Sequence, residues 1–311
     1  MHRQVASMFR RLRRRAGWRR GCAIRALRDR LVYCAAALLL AGIACVAQAD
    51  AAPLRVVALG GDITATVYAL DAQRDLVGVD STSQWPASAR RLPDVGYVRQ
   101  LSAEGVLSLR PQLVLATHDA GPPSVLAQWR EAGVRIELMP STRTPDGVVA
   151  KVEQIGRALG REAAAASLAT TLRQRYAELA RAVAAMPAHP RVLFLLAIGC
   201  GSPQVAGRGS AAASAIALAG GINAGGGFDG YKAVSPEALV ALAPDVIVLM
   251  REGVAALGGI DGVLKLPGVA LTPAGRARRI VFVDGQALLG FGPRNAEEEL
   301  QLQRTLAAIR P

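Results

Sequence analysis

Beyond residue 49, the chain has few of the side chains on which most metal sites and many enzymes depend. It contains one cysteine, Cys200, and two histidines, His118 and His189. One thiol cannot form an internal disulfide bond, so the packed core has to supply the stability. Two histidines are too few for the sites that hold a bare zinc or manganese ion through several nitrogen and carboxylate ligands.

Common catalytic motifs are also missing. The sequence has no HExxH metalloprotease motif, no GxSxG nucleophile elbow and no GxxxxGK[ST] phosphate-binding loop. Each of these motifs places a nucleophile, a general base or a phosphate cradle at a fixed spacing, and nothing in this chain replaces them. The chain is therefore predicted not to be an enzyme.

Positive charge is concentrated at the start of the chain. The first 30 residues hold eleven arginines and one acid, Asp29, and the apolar run Leu31–Ala47 leads into Ala47-Gln48-Ala49. A basic region, an apolar region and an A-x-A site are typical of a secretory signal peptide, with cleavage expected after Ala49 and a start codon at Met1 or Met8. A membrane anchor is the alternative, although about 17 apolar residues are at the short end for a span.

Removing this segment changes the charge argument. The whole chain has 37 basic and 24 acidic residues and a net charge of +13, but residues 50–311 keep 26 basic and 23 acidic residues, or +3. The basic isoelectric point thus belongs to the targeting segment, and nucleic-acid binding loses its support. The signal peptide predicts a periplasmic protein.

The remaining sequence alternates strand-like and helix-like segments, which indicates a parallel α/β sheet. A helical stretch from Thr144 to Met186, interrupted at Gly160, precedes a second α/β series. Its second part is long enough to span two lobes, although an ordinary surface helix is the alternative. The predicted organisation is a signal peptide at 1–49, a Rossmann-like lobe at 50–160, a spanning helix at 161–187 and a second Rossmann-like lobe at 188–311.

An internal repeat supports two similar lobes. LSAEGVLSLRPQLVLA at 101–116 aligns without a gap with VSPEALVALAPDVIVL at 234–249. In each copy, a serine in the N-cap position is followed two residues later by a glutamate in the first helical turn. A duplicated frame of this kind suggests a ligand held between the lobes. The repeated polar pairs are Ser102 with Glu104 and Ser235 with Glu237.

Several strings in order along the chain resemble the periplasmic haem-binding proteins of bacterial haem ABC importers, which are class III substrate-binding proteins. The strings are VVALGGDIT, GVDSTSQWP, LPDVGYVRQLSAEGVLSLRP, AGPPSVL, GFDGYKAVSPEAL, LKLPGVALTPAG and ALLGFGPR. The resemblance implies two α/β lobes joined by a long helix, a cleft that binds haem, and delivery to an inner-membrane permease with its ATPase. An outer-membrane haem uptake system would act upstream.

The resemblance places the axial ligand of the haem iron at Tyr97. Ferric iron prefers an anionic oxygen, and phenolate is a known haem ligand. A free phenol loses its proton only at about pH 10, so a fixed positive charge from Arg99 is expected to favour the phenolate. The alternative is a tyrosine packed at a turn with its hydroxyl bonded to the backbone.

Some members of the family have a second ligand, a histidine after the strand that opens the second lobe. The matching position here is Ile198, which suggests that Tyr97 alone holds a five-coordinate iron. A sixth ligand from His118, Cys200 or water stays open. Cys200 also fits a small buried side chain without a role, and a lone loop histidine such as His118 is usually incidental.

The two propionates of haem call for basic side chains at the mouth of the cleft. The candidates are Arg99, Lys232 and Arg294, since arginine–carboxylate contacts are strong and directional. The aromatic candidates for packing on the porphyrin, with core packing as an equal alternative, are Tyr231, Phe228 and Phe291.

Glu104 and Glu237 are predicted to dock the permease. The family uses such a pair, one per lobe, to contact basic pockets on the two permease subunits. The alternative is that both carboxylates only offset a helix dipole. The same scaffold also carries ferric siderophores or corrinoids, so these cargoes stay open beside haem.

Overall fold

The computed structural model describes residues 53–196, 204–253 and 257–309. The predicted signal peptide, Ile198 and Cys200 lie outside these residues. Within them, no helix is long and apolar enough to cross a membrane.

The first half of the described chain alternates strands and helices as expected. In order, its elements are β1 (Val56–Leu59), α1 (Gly61–Ala69), β2 (Leu76–Val79), α2 (Ala103–Leu107), β3 (Leu113–Thr117), α3 (Pro123–Glu131), β4 (Arg135–Met139), α4 (Pro145–Ala158) and α5 (Glu162–Ala184). The predicted helical stretch breaks at Gly160, whose φ of 64° is left-handed and suits glycine.

The second half begins with β5 and ends with a long helix. Its elements are β5 (Arg191–Leu196), β6 (Gln204–Ala206), α6 (Ala211–Leu218), β7 (Ile222–Asn223), β8 (Tyr231–Ala233), α7 (Pro236–Ala241), β9 (Val246–Met250), α8 (Gly259–Leu264), α9 (Pro273–Arg276), β10 (Ile280–Val283), α10 (Gly285–Gly290) and α11 (Asn295–Ala307).

The strands form two sheets, which define the two lobes. The first lobe is built on a four-stranded parallel sheet in the order β2-β1-β3-β4. The second is built on a six-stranded sheet in which β10, β9, β5 and β7 are parallel, while β6 runs antiparallel to both β5 and β8. The predicted α/β architecture is confirmed. The short β6 and β8 were not predicted, because their polar and glycine-rich surroundings carry no strand pattern.

Buried apolar residues cover both faces of each sheet, which explains the nearly unbroken hydrophobic strands. The largest buried cluster runs from Val56 in the first sheet through Leu172 on α5 to Val248 in the second sheet. The 23 residues of α5 extend about 34 Å at 1.5 Å each. This helix therefore packs against both lobes. The boundaries at 160 and 187 stay a prediction.

The sequence repeat is also a repeat of local structure. Ser102 and Ser235 cap α2 and α7, accepting hydrogen bonds from the backbone amides of Gly105 at 3.1 Å and Ala238 at 3.2 Å. Each copy then reaches a non-glycine residue in the left-handed region just before a proline, and each continues into a buried strand. These paired left-handed residues are Arg110 with φ of 46° and Ala243 with φ of 43°.

A buried carboxyl group on α11 gives the fold a pH-dependent stability. Glu299 is fully buried, and Asn295 is its hydrogen-bond donor at 3.4 Å. Burial, together with the nearby Glu298, raises the pKa of Glu299 well above its ordinary value of 4.5. Folding therefore takes up a proton there, and the contribution of Glu299 to stability falls as pH rises above about 4.5.

We expect Glu299→Gln to stabilise the protein at pH 7 and above and to have little effect near pH 4, because the amide cannot ionise. Urea unfolding between pH 4 and 9 measures this difference. Glu297→Gln, at an exposed position on the same helix, is the control and should follow the parent protein. A constant difference between Glu299→Gln and the parent over this range would contradict the argument.

Candidate ligand-binding cleft

A cavity of about 810 Å³ lies between the two sheets, within the size range of small-molecule sites. Its walls are segments that follow the carboxyl ends of parallel strands, where α/β folds bind ligands. In the first lobe these segments are 60–62 after β1, 117–119 at the end of β3 and 140–143 after β4. In the second lobe, Met250 is the last residue of β9 and Glu252 lies just after it.

Tyr97 and Arg99 lie together on the first-lobe wall of the cavity. The Tyr97 side chain is 40% exposed, which is high for a large aromatic residue. The Arg99 guanidinium donates a hydrogen bond to the Tyr97 hydroxyl oxygen and lies 5.5 Å from the centre of its ring. The Tyr97 hydroxyl oxygen thus accepts a charge-assisted hydrogen bond from a cation on the cavity wall.

Asp119 fixes the position of Arg99. Its carboxylate accepts from Arg99 Nε at 2.7 Å and lies 2.5 Å from Arg99 Nη2. Burial acts to raise the pKa of Asp119, but the Thr117 hydroxyl and the Arg99 guanidinium outweigh it and hold that pKa below its usual value. The Thr117 hydroxyl is close enough for this effect, although it makes no hydrogen bond of normal geometry. Asp119 thus contacts Nε and Nη2 of Arg99, and the remaining nitrogen, Nη1, donates to the Tyr97 hydroxyl.

His118 also lines the cavity, next to this ion pair. Its side chain is 51% exposed, and its Nδ1 lies 3.9 Å from the carboxylate of Asp119. The ring is thus accessible from the cleft. Its role as a sixth ligand stays a prediction.

The second-lobe wall presents Tyr231 on the edge strand β8. Burial raises the pKa of its phenol, while the Ala212 amide, the Ser210 hydroxyl and the charges of Arg143 and Arg99 act in the opposite direction. Tyr231 therefore remains a neutral phenol at physiological pH. The cavity has one phenol on each side, and a cation contacts the hydroxyl of Tyr97.

A buried ion pair forms part of the cavity wall and joins the lobes. Lys151 on α4 and Asp62 on α1 are each 6% exposed, with 2.5 Å between Nζ and the carboxylate. Lys151 also donates to the Phe291 carbonyl of the second lobe at 3.2 Å. The GFGPR motif permits this approach, since a Cβ on Gly292 would lie 3.0 Å from the Cβ of Asp62.

Gln286 on α10 makes a second connection between the lobes. Its side-chain carbonyl accepts from the backbone amides of Gln84 and Trp85, both at 2.9 Å. Its side-chain amide donates to the Gly61 carbonyl at 2.7 Å. Gln286 lines the cavity as well, so the wall that would contact a ligand also holds the lobes together.

Three of the predicted ligand contacts, Lys232, Phe228 and Arg294, do not line the cavity. Lys232 is exposed, with its Nζ 5.6 Å from the centre of the Phe228 ring. Arg294 pairs with Asp284 at 2.6 Å and lies 4.2 Å from the centre of the Trp85 ring. Phe291 lines the cavity, but its side chain packs in the core and is only 2% exposed. A role for Lys232 or Arg294 with the propionates stays a prediction that this arrangement does not support.

Glu104 and Glu237 are exposed in the first turns of α2 and α7. Within the described residues, neither carboxylate has a Lys or Arg partner. The Glu237 backbone amide and the Ser235 hydroxyl lower the pKa of Glu237, so it is ionised at neutral pH. Both carboxylates are free to contact basic groups of another protein.

Residues 56–287 match the family described as periplasmic binding protein. This match covers most of the chain. The chain belongs to the periplasmic binding protein family. The family is one of substrate-binding transport proteins and not of enzymes.

Two solved structures resemble this binding protein closely. One is the periplasmic haem-binding protein BhuT in complex with two haems, with 43% identity, a TM-score of 0.77, and coverage of 81% of this chain and 97% of that one. The other is the periplasmic haem-binding protein RhuT from Roseiflexus sp. RS-1, with 41% identity, a TM-score of 0.78, and coverage of 82% and 98%.

One of the curated relatives is named for a different cargo, cobalamin. A cobalamin-binding protein of Halobacterium salinarum is 34% identical over 205 residues, which cover 64% of this chain and 54% of that protein. The chain thus spans about half the length of that relative. The family is established, and the cargo has to be argued from the cleft.

Arg143, Asp119 and Gln286 were missed by the sequence analysis. Arg143 and Asp119 follow β4 and β3, so their position after a predicted parallel strand was a usable signal, as it was for His118. Gln286 had no signal, because its partners are backbone groups about 200 residues earlier in the chain.

Proposed function

We propose that this binding protein holds haem in the cleft between its lobes, with Tyr97 as the axial ligand of the iron. The carrying observation is the half-exposed Tyr97 phenol, which faces the cavity while Arg99 donates to its oxygen. Haem supplies the ferric iron, and the protein supplies a hard, anionic oxygen. The solved haem-binding relatives support this proposal.

Cobalamin is the second candidate, because a curated relative is named for it. A ferric siderophore fits the same scaffold. Neither cargo requires a protein ligand to its metal, so neither explains the Tyr97–Arg99 pair. A bare metal ion is disfavoured, since no three His, Cys, Asp or Glu side chains cluster suitably in the described part of the chain.

A titration of purified residues 50–311 with haemin, and separately with cyanocobalamin, tests the proposal. We expect saturable binding of haemin with a high-spin, phenolate-type absorption spectrum, and no comparable binding of cyanocobalamin. Tight binding of cyanocobalamin without a haemin spectrum would overturn the assignment of the cargo.

We also propose that the N-terminal signal peptide directs the protein to the periplasm, where it delivers haem to an inner-membrane ABC permease. An outer-membrane haem uptake system would supply the cargo. Glu104 and Glu237, one per lobe and both exposed without a basic partner among the described residues, would contact the two permease subunits.

The double variant Glu104→Ala, Glu237→Ala is expected to bind haemin normally but to stop stimulating the ATPase of the reconstituted permease. Ser102 and Ser235 would still cap both helices, so the fold is retained. Exposed Glu131 and Glu162, on other helices, provide the matched control pair. Full stimulation by the first double variant would show that the repeated glutamates only offset helix dipoles.

A further inference from the structure

The cations that line the cavity differ in what they contact. Lys151 pairs with Asp62 at 2.5 Å, and Arg99 pairs with Asp119 at 2.5 Å. Arg143, which follows β4, also lines the cavity but has no carboxylate partner among the described residues. The internal segments outside the description, 197–203 and 254–256, contain no acidic residue that would supply one.

One contact directs Arg143 across the cleft. Its Nη1 donates to the Gly209 carbonyl of the second lobe at 2.9 Å. This bond uses one of the five N–H groups of the guanidinium and does not neutralise its charge. The third acidic residue on the cavity wall, Glu252, accepts from the Gly285 amide at 3.1 Å. Arg143 therefore presents an uncompensated positive charge to the cavity.

Tyr231 lies on the second-lobe wall of the cavity, which Arg143 reaches through its hydrogen bond to Gly209. Burial raises the pKa of the Tyr231 phenol, so the phenol stays protonated at neutral pH, although the charge of Arg143 acts in the opposite direction. A neutral phenol donates one hydrogen bond. A planar cation beside a hydroxyl donor is suited to a planar group with two acceptor oxygens.

We propose that Arg143 binds a carboxylate of the cargo, with the Tyr231 hydroxyl as a second donor. This proposal rests on the proposed function, because in haem the carboxylate is a propionate. It assigns the propionate contact to Arg143 and Tyr231 instead of Lys232 and Arg294, which lie away from the cavity. A contact with a carboxylate would also let the cleft discriminate haem from cobalamin, because the side chains of the cobalamin ring end in neutral amides.

The proposal is tested by comparing the binding affinities of haemin and of its dimethyl ester, measured in the same solvent. Both propionates are uncharged in the ester. We expect Arg143→Ala to weaken haemin binding by roughly tenfold, as for loss of one exposed charge-assisted contact. The ester should bind the parent protein and Arg143→Ala equally well. Arg143→Lys should recover part of the affinity, and Tyr231→Phe should show a smaller loss that is also specific to haemin.

Arg135→Ala is the control, since Arg135 is an exposed arginine of the first lobe that pairs with Glu137 outside the cavity. An equal loss for haemin and the ester in Arg143→Ala would overturn the proposal and show that Arg143 only joins the lobes through Gly209. Unchanged haemin affinity in Arg143→Ala would overturn it too. If the parent protein binds neither porphyrin, the proposed function fails, and that result is distinct from the other two.

Discussion

Tyr97→Ala should abolish the phenolate-type spectrum of the haemin complex and lower the affinity for haemin by more than about 100-fold. This figure takes the upper end of the range for a hydrogen bond to a charged group, about 3 kcal/mol, as the lower limit for an iron–oxygen bond. Tyr97 and Arg99 form the one pair on the cavity wall, among the described residues, in which a cation donates to a phenol oxygen. Loss of the phenol leaves the iron without its proposed protein ligand.

Tyr97→Phe separates ligation from packing, because the ring is retained and only the oxygen is removed. It should lose the spectrum as completely as Tyr97→Ala does. Tyr231→Phe is the matched control on the opposite wall and should keep the spectrum while lowering affinity moderately. A parent-like spectrum of Tyr97→Phe would show that another residue binds the iron. His118 would then be tested first, because it also lines the cavity.

Lys151→Ala should have the largest effect on stability, about 3–5 kcal/mol measured by urea unfolding, because it leaves the Asp62 carboxylate buried without its cation. Asp62 is 6% exposed, and Lys151 is its partner at 2.5 Å. The same substitution removes the donor to the Phe291 carbonyl, which connects the first lobe to the second. The cleft should loosen together with the fold.

Replacing both charges distinguishes a buried unpaired carboxylate from a simple loss of packing. The double variant Asp62→Leu, Lys151→Met should recover much of the lost stability, since an apolar pair often replaces a buried ion pair at little cost. Arg173→Ala, which breaks an exposed ion pair with Glu153, is the control and should cost less than about 1 kcal/mol. A double variant as unstable as Lys151→Ala would place the effect in packing alone.

The repeat at 101–116 and 234–249 shows how far local sequence reaches. Ser102 and Ser235 were expected to cap helices, and both do so through their hydroxyl groups. The helix break at Gly160 and the main strands of both sheets could also be predicted from the sequence. Caps, left-handed turns and buried strands depend on neighbours within a few residues. The functional roles of Glu104 and Glu237 depend on a partner and stay predictions.

The motifs at Lys232 and Arg294 show where that reasoning ends. Both were placed at the cleft because their motifs end near it, yet Lys232 lies over Phe228, and Arg294 pairs with Asp284 and Trp85. Asp284 is ten residues from Arg294 and Trp85 is about 200 residues away. A long flexible cation takes the nearest anion or ring that the fold provides, and sequence spacing does not reveal which one that is.

The sequence by itself determined the α/β class, the duplicated frame and the spanning helix, because these depend on periodicity, caps and turns within short windows. The candidacy of Tyr97 as the ligand came from the family resemblance of the motif around it. Only the tertiary structure decided which cations are already neutralised within the fold. Arg99 forms an ion pair with Asp119, and Lys151 forms one with Asp62. Arg143 lines the cavity without a carboxylate partner among the described residues. These pairings join residues 20 to 89 positions apart, so they follow from how the strands and helices bring distant side chains together.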